Sequence, residues 1–237
     1  MNHTDHILSV KNIHVHYGRV CALHAISFEI SCGSSLALIG ANGSGKSTLL
    51  KTIIGLVPAQ QGEVLWCGAP VARHRYEIAY LPQKEYIDWN FPLTVRGLVE
   101  MGRYSRLGSL RAFASADARI VDQALEEMQI TNLQQRHISS LSGGQQQRAF
   151  IARALAQEPH VLLLDEPLNG LDRPSRETLT GLMKNQVANG KLIIASHHDI
   201  HETAGIFDSV LLLKRRTVAF GTVAETLTPE NLTEVFA

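Results

Sequence analysis

Long apolar runs are missing from this 237-residue sequence. The longest, such as Val161–Leu164 and Val210–Leu213, fall far short of the roughly 20 residues that a membrane-spanning helix needs. The opening MNHTDHILSV has no basic segment leading into an apolar one, so no secretory signal is expected. Cysteine is scarce. Cys21, Cys32 and Cys67 are widely spaced and form no CxxC pair, which argues against a disulfide framework or a zinc site and predicts free, mostly buried thiols. An excess of charge is lacking too: 22 basic residues balance 22 acidic ones, so no net field draws nucleic acid or an anionic membrane as a bulk partner. Internal repeats and low-complexity linkers are absent. What remains is a chain expected to be cytosolic, long enough for one domain with a subdomain.

Short runs rich in Val, Ile and Leu predict strands at Ile26–Ile30, Leu36–Ile39, Val161–Leu164, Leu192–Ala195 and Val210–Leu213. The last three are continuous rather than alternating, as expected of strands covered on both faces. Helices are expected at Lys46–Leu56 and Arg173–Ala188, and the interleaving predicts an α/β fold with a mainly parallel central sheet. The stretch from about residue 88 to 140 reads differently. Ser115 can cap a helix with Asp117 in its first turn and Ile120, Val121, Ala124, Leu125 and Met128 on one face, and Thr94–Met101 is a second helix. This predicts a helical subdomain inserted into the α/β core.

Gly40-Ala41-Asn42-Gly43-Ser44-Gly45-Lys46-Ser47 fits G-x-x-x-x-G-K-[ST], with the apolar SSLALI before it and the helix-forming TLLKTIIGL after it. Such a loop closes backbone N–H groups around phosphate oxygens, and the helix N-terminus adds positive charge. Lys46 is expected to reach the β- and γ-phosphates, Ser47 to ligate Mg²⁺ and Thr48 to donate to the α-phosphate. In Val161-Leu162-Leu163-Leu164-Asp165-Glu166, a buried strand ends in two carboxylates at the sheet edge where nucleotides bind in such folds. Asp165 is expected to hold Mg²⁺ and Glu166 to orient and polarise the attacking water; the plainer alternative is an acid pair capping the next helix.

Leu141-Ser142-Gly143-Gly144-Gln145, followed by Gln147-Arg148 and a helical AFIARALAQEP, resembles the signature of the ABC ATPase family. It is a second Gly-rich helix start, hence a second anion site on one chain. The resemblance implies a phosphate-loop NTPase core with an antiparallel β subdomain besides the helical one. It also implies one nucleotide-binding domain over 1–237, with 1–87 and 151–237 as the α/β core and 88–150 as the helical signature subdomain. Ser142, Gly143, Gly144 and Gln145 would touch ATP held by a partner subunit. Tyr17 in HVHYGRVCAL matches the aromatic that stacks on adenine, although alone it reads as a packing tyrosine. Gln83 in AYLPQK matches the glutamine that touches Mg²⁺ and reports nucleotide state. Asp172 in PLNGLD matches the loop that crosses the dimer interface, with Asn-Gly in place of the commoner Ser-Ala. Of the two histidines in ASHHDI, the family pattern selects His198, directly before the aspartate, for the γ-phosphate; His197 is left to local packing or hydrogen bonding. His14, His16, His24, His74, His137, His160 and His201 show no ligand spacing for a transported metal, and His3 and His6 are expected to be disordered.

DWNFPLTV…MGRY, HHD followed by FDSVLLLKRRTVAFG, and the ending TPENLTEVF resemble cassettes of the bacterial manganese, zinc and iron uptake family over nearly the whole chain. This implies an ATPase (ATP and water to ADP and phosphate) that energises import of a divalent metal, manganese or iron before zinc. The implied cofactors are ATP and Mg²⁺. The implied partners are a second copy in a head-to-tail homodimer, an integral-membrane permease and, indirectly, an extracytoplasmic solute-binding protein, with no nucleic acid. The implied place is the cytoplasmic face of the inner (plasma) membrane. Residues 83–104 would form the permease groove, lined by Trp89, Phe91 and Leu93, with Val95 and Met101 assigned instead to the subdomain core. Import of another small solute such as an iron chelate, or a non-transport ABC ATPase, are the alternatives.

Overall fold

Strands that are apolar without alternation need cover on both faces, and the computed structural model supplies it. It describes residues 6–83, 89, 91–107 and 111–237. The strands are β1 (Ile7–Tyr17), β2 (Val20–Ser31), β3 (Ser35–Ile39), β4 (Gln61–Trp66), β5 (Ala69–Pro70), β6 (Ile78–Leu81), β7 (Val161–Leu164), β8 (Leu192–Ser196), β9 (Ser209–Leu213) and β10 (Thr217–Thr222). The helices are α1 (Lys46–Ile53), α2 (Val95–Glu100), α3 (Tyr104–Leu107), α4 (Ser115–Glu127), α5 (Gly143–Ala156), α6 (Arg173–Ala188), α7 (Ile200–Thr203), α8 (Val223–Thr226) and α9 (Pro229–Phe236). One sheet runs β10-β9-β3-β8-β7-β6, parallel except for β10 at its edge. A second, antiparallel sheet runs β2-β1-β4-β5.

The parallel sheet divides two cores by the two-residue period of its side chains. Ala37, Ile39, Leu162, Leu164, Ile193 and Ala195 pack with Val99, Val121, Leu125 and Ala152 of the helices. Their neighbours Leu36, Leu38, Val161, Leu163, Leu192 and Ile194 pack with Leu49 and Ile53 of α1 and with Val10 and Ile26 of the antiparallel sheet. Each Val, Leu or Ile among them is worth about 1.5–3 kcal/mol of burial, so neither face of these strands tolerates charge.

α5 runs unbroken through residue 150 and packs on α2, α4 and β6. A buried arginine fastens its end: Arg103 donates to Asp117 at 3.0 Å, to the Ala156 carbonyl at 2.6 Å and to Glu158 at 2.8 Å. No described helix is long and apolar enough to cross a membrane.

The structure corrects local expectations. The run Ile26–Ile30 is part of a longer strand in the antiparallel sheet, not the parallel one. β1, β4, β6 and β10 were not legible from their sequences; β1 carries His and Lys residues and β-bulges, which blur its alternation. α1 stops at Ile53, before Gly55. Ser115 is the first helical residue rather than the cap, and Asp117 reaches back to accept the Ala114 N–H at 3.0 Å. Met101 is 40 % exposed, not core, whereas Val95 is fully buried. Of the thiols only Cys32 is buried, and burial pushes its pKa up to about 11; Cys67 is exposed. His6 packs edge-on against Trp66 and His160, while His3 lies outside the described residues, as do residues 84–88 and 90 of the expected permease groove.

Candidate functional site

Five parallel strands deliver their C-terminal ends to one edge, and the candidate residues hang from those ends. The phosphate loop follows β3, Gln83 follows β6, Asp165 and Glu166 follow β7, His197 and His198 follow β8, and Lys214–Arg216 follow β9. A cleft of about 740 Å³ opens there. It is lined by Tyr17, Val20 and Cys21 from the β1–β2 hairpin, by the loop and helix residues Asn42, Gly43, Ser44, Gly45, Lys46, Ser47 and Thr48, and by Gln83, Glu166, Asn169 and Arg215. Gly40 stands at the base of the loop, where its carbonyl accepts from Lys46.

The loop is held in an anion-ready shape. Gly45 has φ +104°, and a Cβ there would lie 2.6 Å from Leu23 and 2.7 Å from the Ala22 carbonyl, so only glycine passes beneath the hairpin. The Lys46 ammonium donates to the carbonyls of Gly40 at 2.7 Å and Ala41 at 3.2 Å, folded across the loop mouth. Burial lowers its pKa, opposed by the nearby carboxylates of Glu166 and Asp165.

Asp165 is buried and doubly held: Ser196 Oγ donates to its Oδ1 at 2.7 Å and the Tyr80 hydroxyl to its Oδ2 at 3.4 Å. The same Ser196 oxygen accepts the Glu166 N–H at 2.7 Å. Glu166 has φ +50°, and its Oε2 accepts from Asn169 Nδ2 at 3.0 Å. The alternative of an acid pair capping the next helix does not hold, because Asp172 caps α6, accepting the Ser175 N–H at 3.1 Å. Ser47, Asp165 and Gln83 offer hard oxygen donors beside the phosphate loop, the kind of set that suits Mg²⁺ held jointly with substrate phosphates. No group of three or more His, Cys, Asp or Glu is placed to hold an ion among the described residues.

The second Gly-rich start lies elsewhere. Ser142 caps α5 and Gln145 returns the bond, Oε1 accepting the Ser142 N–H at 3.0 Å. Gly144 packs against Ser175 in the first turn of α6, close to Asp172, so the second Gly-rich start and the loop leading into α6 lie side by side. None of Ser142, Gly143, Gly144 or Gln145 lines the cleft. The histidines separate by burial: His197 is 3 % exposed, packs on Phe207 and has a depressed pKa from burial and the neighbouring His198, whereas His198 is exposed and does not line the cleft. Sequence reading passed over Asn169, Ser196 and Arg215. All three stood inside quoted stretches, Asn169 three residues after Glu166, Ser196 two before His198 and Arg215 within FDSVLLLKRRTVAFG, where no role was attached to it.

Comparison with known proteins bears on this arrangement. The profile of a family described as ABC transporter matches residues 23–169. The chain is similar to the manganese transport system ATP-binding protein MntB of Listeria monocytogenes, 39 % identical over 95 % of this chain and 94 % of that one. It is similar to the zinc transport system ATP-binding protein TroB of Treponema pallidum, 38 % identical over 98 % of this chain and 88 % of that one. A chain from an inward-facing transporter assigned to the metal-chelate ABC type superposes with a TM-score of 0.86 at 31 % identity, covering 98 % of this chain and 88 % of the other.

Proposed function

The chain belongs to the ABC transporter family, and from that premise we propose that it is the ATP-hydrolysing subunit of an importer for divalent metal ions, manganese or iron before zinc. The observation that carries the reading is one chain with two Gly-rich helix starts, each suited to an anion, of which only the first lines the cleft. One triphosphate needs one cradle. The second, on Ser142–Gln145 beside Asp172, suits ATP held by another copy, which favours a head-to-tail homodimer with two composite sites.

In each site Lys46 exchanges the Gly40 and Ala41 carbonyls for β- and γ-phosphate oxygens, and Thr48 and the α1 amides donate to the remaining phosphates. Tyr17, 52 % exposed at the rim, offers its ring to adenine. Ser47, with Asp165 and Gln83, would hold Mg²⁺, which would supply charge neutralisation to the phosphates. Glu166, aimed by Asn169, accepts the proton of the attacking water as the new O–P bond forms and the bond to the ADP oxygen breaks. His198, exposed and outside the cleft lining, would reach the γ-phosphate only on closure. Closure of the pair drives the permease through a coupling helix seated near Trp89, Phe91 and Leu93, where Phe91, Met101 and Tyr104 leave apolar surface exposed. The chain then sits peripherally on the cytoplasmic face, with a solute-binding protein reached through the permease and with residues 88–150 as the helical signature unit.

Two measurements test this. The purified chain should hydrolyse MgATP, and Lys46→Ala should abolish it; hydrolysis indifferent to that change sinks the ATPase assignment. Cells lacking the chain should lose uptake of manganese or iron more than of zinc, and undiminished uptake of all three would remove the metal-import reading.

A further inference from the structure

The turn between β9 and β10 places three consecutive basic residues beside the phosphate loop, and they do not share one job. Lys214 donates to the Glu234 carbonyl and Arg216 to the Glu234 carboxylate, so both flanking side chains are tied to α9. Arg215 between them has no side-chain hydrogen bond or ion pair among the described residues, and it lines the nucleotide cleft. Its backbone is held on both sides: its N–H donates to the Ser44 carbonyl in the phosphate loop at 2.8 Å, and its carbonyl accepts the His24 N–H at 2.6 Å. Between these two bonds it adopts φ +58°, a left-handed conformation that glycine takes freely and arginine rarely does. A turn that needed only the backbone shape would use glycine. Here the shape is kept with a guanidinium mounted on it, anchored to the loop that cradles phosphate.

Charge points the same way. Among the described residues lining the cleft, the cations are Lys46 and Arg215; Glu166 lines it as well, and the Asp165 carboxylate lies close enough to act on Lys46. Without Arg215 the carboxylates would outnumber the cations in a site that has to take a polyphosphate. With it they balance, before the partial positive end of α1 is counted.

We propose that Arg215 is a nucleotide-positioning residue, its free guanidinium pairing with the phosphate chain of ATP bound in the Gly40–Ser47 loop. This rests on the ATPase reading above. The guanidinium fork suits phosphate oxygens and stays charged at any working pH.

The test is titration of the full chain and its variants with a non-hydrolysable MgATP analogue, alongside thermal melting. Arg215→Met should weaken binding about ten-fold, as expected for loss of a charged hydrogen-bonding partner. Arg215→Lys should recover most of it, to within about three-fold of the parent. Arg215→Gly should weaken binding as much as Arg215→Met while holding or raising Tm, because it relieves the backbone. A merely structural residue would lose Tm and affinity together. If Arg215→Met binds within about two-fold of the parent, the inference is wrong and the ATPase reading stands. If the parent itself binds no nucleotide, both fail.

Discussion

Ser196 Oγ donates to Asp165 Oδ1 at 2.7 Å while accepting the Glu166 N–H at 2.7 Å, so one hydroxyl at the end of β8 holds the Asp165 carboxylate and the Glu166 backbone at the end of β7. The residue is fully buried, and no water replaces it cheaply. Ser196→Ala strands an amide and a carboxylate oxygen together, at a cost of about 1–3 kcal/mol in stability. Turnover should fall with little change in KM for ATP, read from steady-state kinetics beside a denaturation curve. Unchanged kcat would mean that the bond does not position either acid.

Glu166→Gln should bind MgATP and hydrolyse it hardly at all, accumulating as a dimer on size exclusion. Asn169→Ala should give a milder form of the same defect, since it frees the Oε2 that Asn169 now holds at 3.0 Å. A drop of about ten-fold in kcat at constant KM is expected for a lost positioning bond. Near-normal turnover of Glu166→Gln refutes its role as base.

At Gly45 even one methyl group is excluded, by Leu23 and the Ala22 carbonyl, and φ +104° penalises any side chain. Gly45→Ala should abolish nucleotide binding and destabilise the chain by more than about 2 kcal/mol. A stable variant that still binds ATP would show that the hairpin yields.

His197 sets a pH dependence. Burial and the adjacent His198 lower its pKa, with Arg176 acting in the same direction and Asp199 and Glu202 opposing, and its Nε2 is buried with no hydrogen-bond partner among the described residues. The unfolded chain therefore takes up a proton near pH 6.5 before the folded one does, so stability is full above that pH and falls below it. Denaturation midpoints should drop between about pH 7 and 5.5, and His197→Phe, packing on Phe207, should flatten that slope. An equally steep slope in the variant would assign the effect to other groups.

Much of the site was legible because its parts are local. The phosphate loop, the acid pair and the signature each need particular residue types at fixed spacing, and the elements carrying them, β3, α1, β7 and α5, follow from apolar runs and helix starts that the chain spells out. Legibility failed where the signal was spread. β1 mixes histidines and a lysine with apolar residues and shifts register three times against β2, so its period of two dissolves, and Ile26–Ile30 carries no mark of which sheet it joins. Ser196 and Asn169 sat in view without a role, because their partners are 31 and 3 residues away and hydroxyls and amides commonly end strands and loops.

By itself the sequence determined the local pieces: a glycine loop with Lys46, two carboxylates behind a buried strand, and a second Gly-rich helix start at Ser142–Gln145. Those are properties of short segments, fixed by backbone sterics and side-chain type. Only the tertiary structure decided how the segments meet. Parallel packing of β6, β7, β8, β3 and β9 brings Gln83, Glu166, Ser196 and Arg215 to one edge from positions far apart in the chain, buries His197 while leaving His198 exposed, and turns Ser142 away from its own chain's cleft. Such placement depends on which apolar faces are buried together, and no local run of residues encodes that.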